Sequence, residues 1–190
     1  MKLAKLFGLI AIISSCFVLV KEKVVSFSSD DVCATENTDQ HFCSVAPKVI
    51  DGDTIDISGQ RIRLACVDTP ESWYKGNAQY CFDNETDCGK LAKDFLKDMV
   101  AGGIVTCDAI SKDVYNRWLG LCYVEKNNEK ININIALVRN GYAWYYDGGH
   151  HCDHVKPVFL DAKKENRGLF NPDLGGFKEP RLWRKTQTNG

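Results

Sequence analysis

Three absences narrow what this 190-residue chain does. There is no excess of one charge: 24 basic against 25 acidic side chains leave a formal net charge of −1. A chain so balanced is no blanket polyanion binder, and any affinity for nucleic acid has to rest on local positive charge. There is no apolar run of bilayer-spanning length, because residues 6–20 make a run of 15 where a spanning helix needs roughly 20. There is also no internal repeat, heptad or low-complexity tract. What is left is one domain plus extensions, long enough to bury a core.

The short apolar run follows Lys2 and Lys5, and the two together read as a secretory signal. Three forms of it stand: cleavage near Ser26-Phe27-Ser28, lipidation at Cys16 after Ile13-Ser14-Ser15, or an uncleaved signal anchor. The expected localisation is secreted or cell envelope (periplasm), with any membrane attachment through the N-terminal segment alone. Removing residues 1–25 takes away four lysines and Glu22, leaving 20 basic and 24 acidic side chains, a net of −4.

Cysteine usage agrees with export. Cys16 lies in the targeting segment, and the other eight form an even set that suits disulfides. Cys81 and Cys88 bracket the short loop "CFDNETDC". Cys107 and Cys122 sit on consecutive strand-like runs, so a cross-strand bridge is expected. Cys33–Cys43 would tie down the N-terminal arm, which leaves Cys66–Cys152.

Residues 26–44 are polar and irregular and read as an arm. From residue 45 short β-runs follow one another, with Ile55, Ile57, Ile62 and Leu64 alternating at period two around a Gly59-Gln60 turn. After a long loop, "CGKLAKDFLKDMVAGG" has helical spacing and a Gly-Gly stop. Two more strands and two more helices complete the order β-β-β-α-β-β-α-α, that of an OB-type barrel. The expected class is α+β with a mainly β core: a five-stranded OB-fold barrel with about three helices. The expected divisions are residues 1–25 for the signal, 26–44 for the arm, 45–172 for the domain and 173–190 for a basic, mobile, solvated tail.

The chemistry concentrates in "VIDGDTIDISGQRIRLACVDTPES". Asp53 after a glycine and Asp68 at a strand end are hard oxygen donors that suit Ca²⁺, with a backbone carbonyl and water completing the shell. Glu71, three residues beyond Asp68, can approach the same metal through water and act as a general base. Arg63 and Arg117, the latter beside Tyr115 in "KDVYNRWLG", supply two guanidinium forks, as a phosphodiester under attack requires. Strand alternation puts Arg63 and Asp68 on opposite faces, so a twist or bulge is needed to unite them. Any one of these elements alone reads as a turn or a surface ion pair, whereas the set of five is specific.

"IDGDT", "RLACVDTPES", "DVYNRW" and "NIALVRNGYAW" resemble the thermonuclease (staphylococcal-nuclease-like) family over residues 47–170, with the motifs in family order. The resemblance implies an OB-fold, Ca²⁺-dependent phosphodiesterase that cuts DNA and RNA with little sequence specificity and leaves 3′-phosphates. It assigns the metal to Asp53, Asp68 and the Thr69 carbonyl, the base role to Glu71, and phosphate binding to Arg63 and Arg117. Asp51 is the supporting aspartate and Tyr115 the tyrosine at the substrate phosphate. The expected partners are DNA and RNA substrates, handled by a monomer.

The family's Tyr-Gly-Arg is Tyr115-Asn116-Arg117 here, which keeps the turn because Asn tolerates φ > 0. Trp118 beside it would crowd the site or offer a stacking face, and the loop after Glu71 is longer than usual. A base-stacking aromatic is sought among Trp144, Tyr145 and Tyr146. The His150, His151, Cys152 and His154 cluster is a poor fit to zinc, which takes four tetrahedral ligands usually brought from two separated pairs. The competing functions are a silent OB-fold nucleic-acid-binding module, which would be expected to have lost part of the set, and an envelope protein with structural Ca²⁺, which leaves both arginines unexplained.

Overall fold

The computed structural model describes residue 33, residues 39–148 and residues 152–187. The signal segment, His150 and His151 lie outside the described residues. Among the described residues, the nine strands, four α-helices and three short 3₁₀ turns given below make an α+β fold of OB type. The strands are β1 (His41–Ser44), β2 (Lys48–Asp51), β3 (Thr54–Ile57), β4 (Gln60–Leu64), β5 (Val67–Asp68), β6 (Ile104–Lys112), β7 (Trp118–Lys126), β8 (Glu129–Asn132) and β9 (Trp144–Tyr145). The helices are α1 (Cys88–Val100), α2 (Ile133–Arg139), α3 (Val155–Lys164) and α4 (Pro180–Thr186).

One mixed sheet runs β1-β6-β7-β4-β3-β2, with β8 on the free part of β7 and β5 paired separately to β9. Strands β2, β3, β4, β6 and β7, with α1 between the third and fourth, form the five-stranded OB core; β1, β5, β8 and β9 are additions to it. The β4–β7 pairing is parallel, and it brings the end of β4 beside the start of β7, where Arg117 lies.

The alternation in β3 and β4 buries Ile55, Ile57, Ile62 and Leu64 completely or nearly so. A two-residue turn with Ser58 and Gly59 both at positive φ joins the two strands, the backbone that matches their twist. The Asp87 side chain caps α1 by accepting from the Lys90 N–H. The helix turns Cys88, Ala92, Leu96 and Val100 into the core, while Leu91 is left on the exposed side.

Asn134 is a polar residue at the heart of the core. Its side-chain oxygen accepts from Cys122 N, and its amide donates to the carbonyls of Ala65 and Gly120. One side chain thus ties α2 to β7 and to the break after β4. The disulfides are Cys33–Cys43, Cys66–Cys152, Cys81–Cys88 and Cys107–Cys122.

Two expectations need correction. His41–Ser44, at the end of the supposed irregular arm, is an edge strand that pairs with β6 through backbone groups. The supposed solvated tail folds back: Phe177 is buried, and Pro180–Thr186 is helical with proline at the helix start. Both segments are held by long-range contacts that their own polar composition does not signal.

Candidate functional site

The tight β2–β3 connection places two aspartates. A Cβ on Gly52 would lie 2.6 Å from the Thr69 hydroxyl, so only glycine lets this turn close against the β5 end. Asp53, 4% exposed, points inward. One of its oxygens accepts from the Thr69 N–H at 3.0 Å, and the other takes the Thr54 hydroxyl at 3.2 Å and pairs with Arg63. Asp51 accepts from Gly52 N and Ser72 N, which makes it a brace for the loop. Burial, and then the charge of Asp53, raise the Asp51 carboxyl above its usual range.

Asp68 is 1% exposed, and Arg63 donates to it at 2.7 Å. Strict alternation would keep these two apart. Cys66, with φ of +67°, breaks the strand between β4 and β5, and the chain turns so that Arg63 also reaches the Val67 carbonyl. Cys66 is held in that unfavourable backbone region by its bond to Cys152 and by the Tyr146 N–H donated to its carbonyl. Arg63 therefore bridges two buried carboxylates. Burial opposes its charge, but Asp53 and Asp68 outweigh that and hold the guanidinium firmly protonated. Burial likewise works to raise Asp53, and Arg63 with the Thr69 N–H holds it below its usual value.

Glu71 follows Thr69-Pro70 into the long loop. Burial first, and the charge of Asp53 next, push its carboxyl up to about 7, against the pull of Arg184. Its backbone is fixed by Gln79, which is fully buried: Gln79 N donates to the Glu71 carbonyl at 2.9 Å, and the Gln79 side-chain oxygen accepts from Glu71 N. Gly89 packs directly on the Glu71 carbonyl, where no Cβ fits.

Across the cleft, Arg117 is aimed by Asp113, which takes its Nε and a terminal nitrogen at 2.8 and 2.7 Å. Asn116 adopts φ of +62° in the turn, the backbone expected of an asparagine standing where glycine is usual. Tyr115 is 77% exposed, with the Arg117 guanidinium 5.4 Å from its ring. Trp118 faces away: it packs on Phe42 and under Lys112, outside the cleft. Trp144 is likewise structural, lying among Phe159, Phe170 and Phe177. Of the aromatics considered for base stacking, Tyr146 lines the cleft, joined by Tyr74 of the long loop.

The cleft, about 1150 Å³, brings Asp51, Asp53, Arg63, Glu71, Tyr115 and Arg117 to one surface. Asp68 and Thr69 are buried and do not line it; Asp68 reaches it through Arg63 and Arg184. Cys152 is in a disulfide, so it is no zinc ligand. Among the described residues no three His, Cys, Asp or Glu side chains converge on a common point. A metal here would rest on Asp53, Asp68, the Thr69 carbonyl and water, an all-oxygen set that fits a hard cation and not a soft one.

Two participants escape sequence reasoning. Arg184 on α4 donates to both oxygens of Asp68, at 3.1 and 2.9 Å, and to Glu71 at 2.5 Å. Gln79 ties the Glu71 backbone to the same tail by donating to the Lys178 carbonyl at 2.7 Å. Both contacts join residues about a hundred positions apart, and the only local signal is the proline-led "PRLWRK" run.

A family model described as "Staphylococcal nuclease homologue" matches residues 61–171. A protein of Escherichia coli O157:H7 named "Uncharacterized endonuclease" is 34% identical over 129 residues, covering 65% of this chain and 74% of that protein. The "Micrococcal nuclease" of Shigella flexneri is 29% identical over 153 residues, covering 75% and 80%. "Endonuclease YhcR" of Bacillus subtilis is 30% identical over 153 residues, 73% of this chain but 12% of that larger protein.

Proposed function

The chain belongs to the staphylococcal nuclease family, and from that premise we propose that it is an exported, Ca²⁺-dependent nuclease that hydrolyses DNA and RNA with little sequence preference. Two buried carboxylates, Asp53 and Asp68, held by one guanidinium beside a cleft that also presents Glu71 and Arg117, carry the reading. A binding module has no need of that arrangement, because burying two negative charges and a third carboxyl close by is costly and gains nothing for nucleic-acid affinity.

Asp53, Asp68 and the Thr69 carbonyl would hold a divalent ion, which would supply Lewis acidity and lower the pKa of a bound water. The chain's own groups do the rest. Glu71, with its carboxyl near neutrality, is suited to take a proton from water. Arg63 and Arg117 hold the phosphate from two directions and oppose the charge that builds on its oxygens. The Asp113 pair keeps the Arg117 fork aimed before substrate arrives. Tyr115 and Tyr146 offer exposed or partly exposed rings to unstacked bases, which suits a single strand. The water oxygen bonds to phosphorus as the P–O5′ bond breaks; the 5′ oxygen leaves, takes a proton from solvent to become a hydroxyl, and the phosphate stays on the 3′ oxygen.

Four disulfides support an oxidising compartment, and with it a secreted or envelope location. The test is to incubate the oxidised chain with single-stranded DNA in Ca²⁺ and in chelator, beside Glu71→Gln and Arg117→Ala. Cutting in Ca²⁺ alone, with both variants slowed at least about 100-fold, supports the reading. Binding without cutting under every condition would replace it with the silent module.

A further inference from the structure

The α4 helix has seven residues, too short to stand alone, yet it is held firmly. Its approach is a strap laid over the Cys81–Cys88 loop. Phe82 N donates to the Gly176 carbonyl, Asp83 N to Leu174, and the Gln79 amide to Lys178. Phe177 is buried and stacks on Phe170, Pro180 is buried, and Trp183 meets Tyr74 edge-on. The product of all this anchoring is one guanidinium, that of Arg184, set on both oxygens of Asp68 and on Glu71.

With Arg63, Arg184 gives the Asp68 carboxylate three N–H donors for its roughly four lone-pair positions. A divalent ion on Asp68 would have to share those oxygens and sit within a few ångströms of a fixed positive charge. We propose that Arg184 is a tethered counter-cation of the metal centre: it holds Asp68 and Glu71 in place and contends with the divalent ion for Asp68. The C-terminal strap thereby sets how much metal the protein needs. This rests on the metal-dependent reading above. The long disulfide-closed loop gains a purpose, since it is the cradle that delivers Arg184.

The experiment is calorimetric titration of the oxidised full-length protein with Ca²⁺, for wild type, Arg184→Gln, a chain ending at Lys178, and Asp68→Asn. Arg184→Gln keeps every anchor of the strap. Removing one positive charge close to the site should tighten Ca²⁺ binding on the order of tenfold or more, equally in the shortened chain, while Asp68→Asn loses binding. Unchanged or weaker Ca²⁺ binding in Arg184→Gln, with binding still lost in Asp68→Asn, overturns the inference and leaves the metal reading standing. Absence of Ca²⁺ binding in wild type and all variants overturns both.

Discussion

Arg63 donates to Asp68, five residues ahead of it, at 2.7 Å, and it does so because Cys66 breaks the strand between them at a φ of +67°. The active geometry therefore depends on a backbone conformation that a non-glycine residue rarely adopts, and the Cys66–Cys152 bond pins it. The double variant Cys66→Ser/Cys152→Ser should lose about 2–4 kcal/mol of stability in denaturant melts. It should lose more nuclease activity, at a temperature where it is still folded, than Cys33→Ser/Cys43→Ser, whose bridge lies at the edge strand β1.

Arg63 and Arg117 work as forks: Arg117 grips Asp113 with two nitrogens, and Arg63 spreads two nitrogens across Asp53 and Asp68. A lysine keeps the charge and loses the fork. Arg63→Lys and Arg117→Lys should each lower kcat about 100-fold, with a smaller change in KM, measured by initial rates on a labelled oligonucleotide.

Glu71 should be visible in the stability of the protein in chelator. Its carboxyl is raised from the ordinary 4.5 to about 7, chiefly by burial. Between those values the folded chain keeps a proton that the unfolded chain has released, so stability falls as pH rises through this window and levels off above it. Wild type should lose on the order of 1–2 kcal/mol across the window, and Glu71→Gln should show a clearly flatter profile in the same urea melts.

Gln79 is the joint between the Glu71 backbone and the tail. Gln79→Ala leaves the Lys178 carbonyl without its donor and should cost about 1–3 kcal/mol. The strap should then be cut by trypsin at Arg181 or Arg184 much faster than in wild type, while the barrel resists. Equal cleavage rates would contradict the role given to Gln79.

Much of this is legible in the sequence. Period-two isoleucines marked β3 and β4, and the aspartates, Glu71 and the two arginines stood in motifs whose chemistry is specific to phosphate. The meeting of Arg63 with Asp68 was not legible, because alternation forbids it and only the tertiary constraint on Cys66 permits it. Trp118 and Trp144 were ambiguous as stacking faces, since a tryptophan beside a site is equally at home in the core, and packing decided both. Arg184 was hidden for a related reason. A short basic run at a chain end has the composition of a solvated tail, and its contacts lie more than a hundred residues away in sequence.

The decisive measurement is the initial rate of cleavage of a 5′-labelled single-stranded DNA in millimolar Ca²⁺, for wild type and Asp68→Asn side by side, repeated in chelator. Wild type should cut only in Ca²⁺, and Asp68→Asn should fall at least about 1000-fold, with melts showing it folded. Wild-type cutting undiminished in chelator, or Asp68→Asn cutting at the wild-type rate, would contradict a metal-dependent centre built on Asp53 and Asp68.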